Sequence, residues 1–297
     1  MWISVSGANA RAHEVDTVAN NLANLDTLGY KKDLPAFKEY LSAVERTDQS
    51  TDIPKGPIRD RDLVPTEGMD GSHVAIDGTY TSFKSGNLKV TQNPLDFALD
   101  GPGFFEVSTP SGIRYTKQGS FKVATDGRLV TSEGYPVLAS QPGGIASTQT
   151  TGTTAQPGPG GLSTQGRVVA SAEQQAADIA ARFINVRDQG SGQLSSSESG
   201  QLYLGDKPIA KLSVVEFQDV NGLRKVGSAL FDNQKPGNAI DPQRTQLRQG
   251  VLESSNVNPV EEMSNLIRAN RMFEHDLKVM KTFGDLMGRE ANDIGKL

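Results

Sequence analysis

The sequence predicts a mainly β protein in which an antiparallel β domain is flanked by α-helices at both ends of the 297-residue chain. Apolar residues recur at helical spacing up to about residue 25. Between about Gly78 and Leu138 they instead alternate with polar residues, and turn signals separate the alternating runs. A capped helix with apolar residues every three or four positions lies near the C-terminus. We therefore predict helical segments at 1–33 and 249–297.

The N-terminal helix is predicted from apolar residues three, four or seven positions apart, namely Ala8, Val15, Val18, Leu22 and Leu25. Its end is marked by Gly29, which supplies the positive φ angle of a C-terminal stop. The next residues, 34–77, have poor periodicity and contain Pro54, Pro57 and Pro65. Because proline cannot donate a backbone hydrogen bond, we predict an extended or irregular segment there.

The β domain is predicted at residues 78–248. A strand with one apolar and one mostly polar face is indicated by the alternation of Leu95, Phe97 and Leu99 with Asp96, Ala98 and Asp100. A Gly-Pro-Gly turn at 101–103 leads into a second strand, in which we expect Phe104 and Phe105 to form a hairpin core. Further hairpin signals are the pairs Ser111-Gly112, Gln118-Gly119, Asp126-Gly127 and Glu133-Gly134.

A flexible insertion is predicted within this domain at about residues 141–180, because its Gly, Thr, Gln, Pro and Ser residues leave almost nothing apolar to bury. A short helix is expected from Ala172 to about Phe183, and residues 190–200 are again rich in Ser and Gly. Strand character returns at residues 211–217, before an Asn221-Gly222 turn. We expect the strands on the two sides of the insertion to share one core.

The C-terminal helix has three agreeing start signals. Asn258 is a good N-cap, Pro259 suits the first helical position, and Glu261 occupies the capping-box position. A strict three-four spacing then predicts the seam of a coiled coil with a partner helix, formed by Met263, Leu266, Asn270, Phe273, Leu277, Met280, Gly284 and Met287. Asn270 is the polar member of this seam, of the kind that fixes register or partner number at a cost in stability.

Composition and motifs argue against catalysis and against several kinds of partner. The net charge of −5 and the pI near 5.3 exclude a broad basic field for nucleic acid or anionic membranes. No apolar run reaches the roughly 18 residues of a spanning helix, and no signal-peptide pattern is present. The sequence has no Cys, no metal-ligand spacing of His, no phosphate loop and no nucleophile elbow. We expect no enzymatic activity, metal, cofactor, small-molecule substrate or stable membrane insertion.

The N-terminal helix ends in a distinctive run, ANNLANLDTLGY, at Ala19–Tyr30. It closely resembles the N-terminal signature of bacterial flagellar axial proteins, the rod and hook subunits. The sequence QGVLESSNVNPVEEMSNLIRANRMFE, at Gln249–Glu274, resembles the C-terminal region of the same family. Between them, Asn93–Leu138 resembles the β domain of the rod members. The resemblance covers most of the chain and is lost at about Gln141–Ala180.

This resemblance implies a structural subunit that polymerises through its terminal helices, paired as a coiled coil, into a drive shaft that transmits torque. It implies the basal-body rod, in the periplasmic space, as the location. It also implies export by the flagellar type III apparatus without a cleavable signal peptide. The implied partners are other copies of the chain and other rod and hook proteins. A proximal rod subunit is the first expectation, a distal rod subunit the second and a hook subunit the third.

The residues expected to contact neighbouring subunits lie in the two terminal segments. They are Asn20, Asn21, Leu22, Asn24, Leu25, Gly29, Tyr30, Asn256, Asn258, Pro259, Met263, Leu266, Ile267, Asn270, Phe273, Leu277, Met280 and Met287. Two alternatives stay open. The terminal helices could pair with each other inside a stable monomer, or the chain could be a β-rich binding module or scaffold that forms a small oligomer.

Overall fold

A computed structural model describes residues 2–41, 72–141, 178–187, 193–227, 229–235 and 237–294. Most of the predicted insertion, and the middle of the predicted irregular segment, lie outside these residues. The described helices are α1 (Trp2–Ala23) and α2 (Pro259–Ile294). The strands are β1 (Asp33–Leu41), β2 (Ser72–Thr81), β3 (Leu88–Val90), β4 (Phe97–Asp100), β5 (Phe104–Thr109), β6 (Gly112–Thr116), β7 (Phe121–Val123), β8 (Leu129–Thr131), β9 (Leu194–Ser196), β10 (Gln201–Leu204), β11 (Lys207–Lys211), β12 (Val214–Phe217), β13 (Leu223–Lys225), β14 (Leu230–Asn233), β15 (Ala239–Ile240), β16 (Gln246–Gln249) and β17 (Val251–Glu253).

The chain divides into two compact units. The helical unit contains Met1–Ala23, Asp33–Tyr80 and Asn258–Leu297. The β unit contains Asn24–Lys32 and Thr81–Val257, and therefore includes a short N-terminal segment that follows α1. This architecture confirms the prediction of a mainly β protein with helices at both ends.

The centre of the β unit is a six-stranded antiparallel sheet in the order β13-β14-β6-β5-β12-β15. Phe105 on β5 pairs with Thr116 on β6, while Val214 on β12 pairs with Phe105 from the other side. Strands from before and after the insertion are therefore neighbours in one sheet, as expected from the sequence.

Strand β5 contributes to two apolar clusters, because successive side chains of a strand point to opposite faces of the sheet. Phe105 and Val107 belong to the larger cluster. Phe104 belongs to the smaller cluster, where its ring meets Phe217 edge-on at 5.5 Å and Phe231 at 5.6 Å between centroids. Both predicted core residues, Phe104 and Phe105, are thus buried, and each contributes about 1.5–3 kcal/mol of burial free energy.

Most of the predicted turns are present. Gly112 (φ 104°) ends the β5–β6 turn, and Gly127 (φ 85°) lies in the β7–β8 turn. Gly134 (φ 90°) closes a turn in which its N–H donates to the Thr131 carbonyl at 3.0 Å. The Asn221-Gly222 pair ends a 3-10 turn, Val220–Gly222, between β12 and β13.

Two local predictions are corrected by the structure. The Gln118-Gly119 pair does not form a hairpin turn. Gly119 instead runs beside β4, where the Phe97 N–H donates to its carbonyl at 2.9 Å and a Cβ would lie 1.7 Å from the Phe97 oxygen. The face of β4 predicted to be mostly polar is also partly covered, because Ala98 in the strand and Asp96 just before it are buried, whereas Asp100 at its end is exposed.

Several strands lie where the sequence shows no strand pattern. Strand β9 falls in the Ser- and Gly-rich stretch and pairs with β10. Strands β16 and β17 pair with β4 and β3, so residues up to Val257 belong to the β unit and α2 begins only at Pro259, ten residues after the predicted boundary at 249. At the end of the predicted short helix, residues 178–181 are helical, and the next residue, Arg182, pairs with the buried carboxylate of Glu106.

The helical unit contains α1, α2 and a two-stranded sheet of β1 and β2. The cap of α2 matches the sequence prediction, since Asn258 Oδ1 accepts hydrogen bonds from the N–H groups of Val260 (3.1 Å) and Glu261 (3.5 Å). Strands β1 and β2 occupy the described parts of the segment predicted as extended or irregular. Among the described residues, neither helix has the length and apolar character needed to cross a membrane.

Candidate assembly surface

The two terminal helices pair with each other inside the chain. Asn21 Nδ2 lies 3.4 Å from Glu262 Oε2, and a Cβ at Gly7 would lie 3.8 Å from Asp276 Oδ2. Going from Asn21 back to Gly7 on α1 corresponds to going forward by the same number of residues, from Glu262 to Asp276, on α2. The two helices are therefore antiparallel. The 22-residue α1 is 14 residues shorter than the 36-residue α2, a difference of about 21 Å of helix.

The side of α2 that packs in the chain differs by a fraction of a turn from the predicted seam. Most of its buried or half-buried residues follow a four-three spacing: Glu262, Leu266, Ala269, Phe273, Asp276 and Met280. Pro259, Asn265 and Val279 are also half-buried. Alternate members of the predicted seam, Leu266, Phe273 and Met280, belong to this face. The other members that the structure describes are exposed. Within the chain, therefore, only every second residue of the predicted seam is covered by packing.

A second line of α2 residues is left exposed, and we call it the outer stripe: Val260, Met263, Ile267 and Leu277. Met263 is 51% exposed and Val260 is 72% exposed, although both are large apolar residues. Asn270 lies along the same line and is also exposed. Within the chain it therefore does not supply the buried polar contact that the sequence suggests.

A terminal overhang continues α2 beyond the start of α1. The antiparallel spacing places Trp2 opposite Lys281, so residues 282–294 extend past the shorter helix. Phe283, Leu286 and Met287 are all exposed on this overhang, Met287 to 63%. Together with the outer stripe they form an apolar surface that the described part of the chain does not cover.

Asn21 is a buried polar residue of the helix pair and is 1% exposed; Thr17 and Glu262 are buried as well. Its side chain accepts from the Asp33 N–H at 2.9 Å, donates to the Asp33 carbonyl at 2.8 Å and approaches Glu262. A buried amide with such fixed partners sets the register of packed helices. The sequence predicts that Asn21 contacts a neighbouring subunit, and that stays a prediction beside the contacts it makes within the chain.

The other predicted residues of the N-terminal segment occupy varied positions. Asn20 is exposed on α1, whereas Leu22, Asn24 and Leu25 are half-buried. Thr27 caps the turn after α1, because its N–H and Oγ1 donate to the Asn24 carbonyl and Oδ1, both at 3.2 Å. In the C-terminal segment, Asn258 and Pro259 form the start of α2.

Five of the predicted residues lie in the β unit, namely Asn24, Leu25, Gly29, Tyr30 and Asn256. Tyr30 is completely buried, and Gly29 (φ 68°) approaches the backbone so closely that a Cβ would lie 2.6 Å from the Gln118 nitrogen. Asn256 makes hydrogen bonds with Lys32, Ser82 and Lys84. Their described contacts are therefore made within the chain.

The sequence did not single out a group of buried charges in the β unit. Lys31, Lys117 and Glu253 are each at most 3% exposed. Lys31 Nζ lies 2.7 Å from Glu253 Oε1, and Lys117 Nζ lies 3.7 Å from Glu253 Oε2. Burial lowers the pKa of Lys117 to about 8, although the Glu253 charge acts in the opposite direction. Lys31 and Glu253 are 222 residues apart, so no local pattern marks them.

The described residues contain no group of three or more His, Asp or Glu side chains arranged to hold a metal ion. The polar groups brought together are instead caps, helix contacts and buried ion pairs. Such groups position helices and chain segments.

Three family models match the chain in sequence order. The model described as "Flagella basal body rod protein" matches residues 1–31. The model described as "Flagellar hook protein FlgE/F/G D1 domain" matches residues 98–191, and that described as "Flagellar basal body rod FlgEFG protein C-terminal" matches residues 248–294.

Curated relatives match over nearly their full lengths. The flagellar basal-body rod protein FlgG of Buchnera aphidicola subsp. Schizaphis graminum is 28% identical, over 97% of this chain and 96% of the relative. FlgG of Borreliella burgdorferi is also 28% identical, over 98% and 97%. The rod protein FlgF of Caulobacter vibrioides is 26% identical, over 100% of this chain and 98% of the relative.

A β-rich body and a pair of helices from opposite ends of the chain, one of which carries an exposed apolar stripe, define a mainly β protein with paired terminal helices. The three family models and the near-full-length relatives specify the class further. The chain belongs to the flagellar basal-body rod protein family, as a FlgF or FlgG protein. This family is structural and is not a class of enzymes.

Proposed function

We propose that the chain polymerises in the basal-body rod through its terminal helices, with the outer stripe of α2 packing against helices of neighbouring subunits. The observation that carries this proposal is the line of exposed apolar side chains at Val260, Met263, Ile267 and Leu277. A monomeric helix normally turns such a stripe toward its own core. Contiguous exposed apolar surface typically marks an interaction site.

The partly covered seam supports a bundle of more than two helices. Leu266, Phe273 and Met280 face α1, while Met263 and Leu277 lie beside them and point away from that contact. A helix with two adjacent apolar faces can pack against two partners at once. The partners are other copies of this chain and other rod and hook proteins, whose torque-bearing contacts are then helix to helix.

The remaining parts of the proposal concern delivery and location. The subunit acts in the rod within the periplasmic space and arrives through the flagellar type III export apparatus without a cleavable signal peptide. Family membership supports this route, and the absence of Cys in the sequence suits a chain that is exported unfolded. We favour the proximal rod position (FlgF), with the distal position (FlgG) as its alternative. The stage at which basal bodies stop growing in a deletion strain separates the two.

The outer stripe is tested by the double variant Met263→Glu/Ile267→Glu. Glutamate has good helix propensity, and both positions are exposed. We therefore expect the free energy of unfolding of the purified variant to stay within about 0.5 kcal/mol of that of the parent. Two new negative charges on each subunit would face neighbouring helices across subunit contacts, so we expect basal-body assembly and swimming to be lost in a complemented deletion strain.

The matched control is Val90→Glu, which places the same charge at a 69% exposed apolar position of β3. This control should assemble and swim like the parent chain. Normal assembly by a stably folded Met263→Glu/Ile267→Glu chain would refute the proposed role of the outer stripe.

A further inference from the structure

The segment Asn24–Lys32 is built into the β unit although it directly follows α1 in sequence. The Gly29 N–H donates to the Glu253 carbonyl at 2.9 Å, and the Tyr30 carbonyl accepts from the Asn256 N–H at 3.4 Å. The Lys225 ammonium lies 3.6 Å from the centroid of the buried Tyr30 ring and donates to the Lys31 carbonyl at 2.8 Å. The segment is therefore held by both its backbone and its side chains.

The Lys31 ammonium is the deepest of these attachments. It contacts Glu253 Oε1 at 2.7 Å and donates to the Lys84 carbonyl at 2.8 Å, and neither charged side chain is more than 1% exposed. The same carboxylate oxygen accepts from the Gly86 N–H at 2.9 Å. One buried ion pair thus connects the segment with the residues before β3 and with β17.

Asn256 provides a second attachment at the edge of this cluster. Its Oδ1 accepts from the Lys32 N–H at 2.7 Å, and its Nδ2 donates to the carbonyls of Ser82 (2.8 Å) and Lys84 (3.0 Å). Lys32, Thr81 and Val257 are all terminal residues of the β unit's two chain segments. The side-chain amide of Asn256 is therefore hydrogen-bonded at or near three of the residues where the chain passes out of the β unit.

We propose that Lys31, Glu253 and Asn256 form an intrachain clasp that closes Asn24–Lys32 onto the β unit in the free subunit, before any contact with a neighbour. The clasp gives Gly29 and Tyr30 a positioning role inside their own chain. It also fixes the chain ends from which the terminal segments depart. This conformational device belongs to the single chain, so it does not rest on the proposed assembly function.

The charges of the cluster predict an ordered series of variants. Among the described residues, Glu253 is the carboxylate that pairs with both buried ammonium groups, those of Lys31 and Lys117, and Asp100 acts on Lys117 at longer range. Glu253→Gln leaves two buried positive charges without compensation, and Lys31→Met removes the principal partner of Glu253. Lys117→Met instead leaves the neutral Lys31–Glu253 pair intact. Replacing both members of the pair, as Lys31→Met/Glu253→Met, removes two opposite charges together and leaves Lys117 as the remaining buried charge of the cluster.

The clasp is tested by amide hydrogen exchange of the purified full-length chain. In the parent, peptides covering 27–32 and 252–257 should be protected, because the Gly29, Lys32 and Asn256 N–H groups are bonded. Lys31→Met and Glu253→Gln should each accelerate exchange in both peptides by about 100-fold or more, the factor that corresponds to breaking a buried ion pair. Lys117→Met should not.

A reference peptide covering the β7–β8 hairpin, Phe121–Thr131, reports on the remainder of the β unit. We expect its exchange to stay within about threefold of the parent in Lys31→Met, and the double variant to recover at least part of the lost protection. Exchange of 27–32 at the unprotected rate in the parent would overturn the clasp, as would equal acceleration of the reference peptide. If Glu253→Gln does not fold, the clasp is judged from the exchange of peptide 27–32 in the parent and in Asn256→Ala, which should accelerate that exchange. None of these results bears on swimming, so a failure here leaves the outer-stripe proposal standing.

Discussion

Lys117 is a buried lysine whose positive charge opposes folding of the β unit. Its Nζ donates to the Gly101 carbonyl at 2.6 Å, and its ammonium lies 5.4 Å from the centroid of the Phe104 ring. Burial nevertheless lowers its pKa from 10.5 to about 8, since Glu253 is already paired with Lys31. The folded chain therefore releases this proton at a lower pH than the unfolded chain.

The sign of the linkage follows from this shift. Between pH 8 and 10.5 the unfolded state binds more protons at Lys117 than the folded state, so the contribution of this group to stability rises with pH across that window. Relative to Lys117→Met, the free energy of unfolding of the parent should rise by on the order of 3 kcal/mol from pH 7.5 to pH 10.5. Urea unfolding of both chains, followed by circular dichroism, measures this difference. A pH-independent difference would show that Lys117 is not buried as described.

At the scale of elements, the start of α2 is fixed by its cap. Asn258→Ala removes the oxygen that accepts from the N–H groups of Val260 and Glu261, so we expect the helical unit to lose about 1 kcal/mol of unfolding free energy. The matched control is Asn270→Ala in the middle of the same helix, where an exposed Asn gives way to the best helix former and stability should not fall. Equal losses from the two variants in thermal unfolding would contradict the capping role.

Elements with a local cause could be predicted from the sequence, and those with a distant cause could not. The cap at Asn258 and the turns at Gly112 and Gly127 depend on neighbouring residues, and each is present. Gly119 shows the same local sequence pattern, but a glycine is required there because the Phe97 backbone, 22 residues away in the chain, leaves no room for a Cβ. Strand β9 has almost no apolar pattern. It is supported by Gln249, whose side chain accepts from the Ser196 N–H at 2.9 Å and donates to the Leu194 carbonyl at 2.9 Å.

For the molecule as a whole, the sequence predicted where the helices and the β domain lie. It did not predict which residues each helix face contacts within the chain. The seam spacing identified α2, but periodicity alone does not specify which of two adjacent faces meets α1. Leu266 therefore packs in the chain, while Met263, three positions earlier, is exposed. The clasp was missed because Lys31 and Glu253 meet only through the fold. A buried ion pair leaves no periodic signal in either segment.

The overhang of α2 leads to a prediction for the whole molecule. Truncation after Lys281 removes Phe283, Leu286 and Met287 but keeps the Asn21–Glu262 contact and the buried Ala269. Because Phe283, Leu286 and Met287 are exposed and residues 282–294 extend past α1, we expect the free energy of unfolding of the purified chain to stay within about 0.5 kcal/mol of that of the parent. The same truncation should abolish basal-body assembly, since it shortens the apolar surface offered to neighbouring subunits. Full-length Phe283→Gln/Leu286→Gln/Met287→Gln separates the two possible causes: a loss of assembly there shows that the apolar side chains are required, whereas normal assembly shows that the length of the helix is. Swimming restored by the truncated chain would mean that the overhang has no part in assembly.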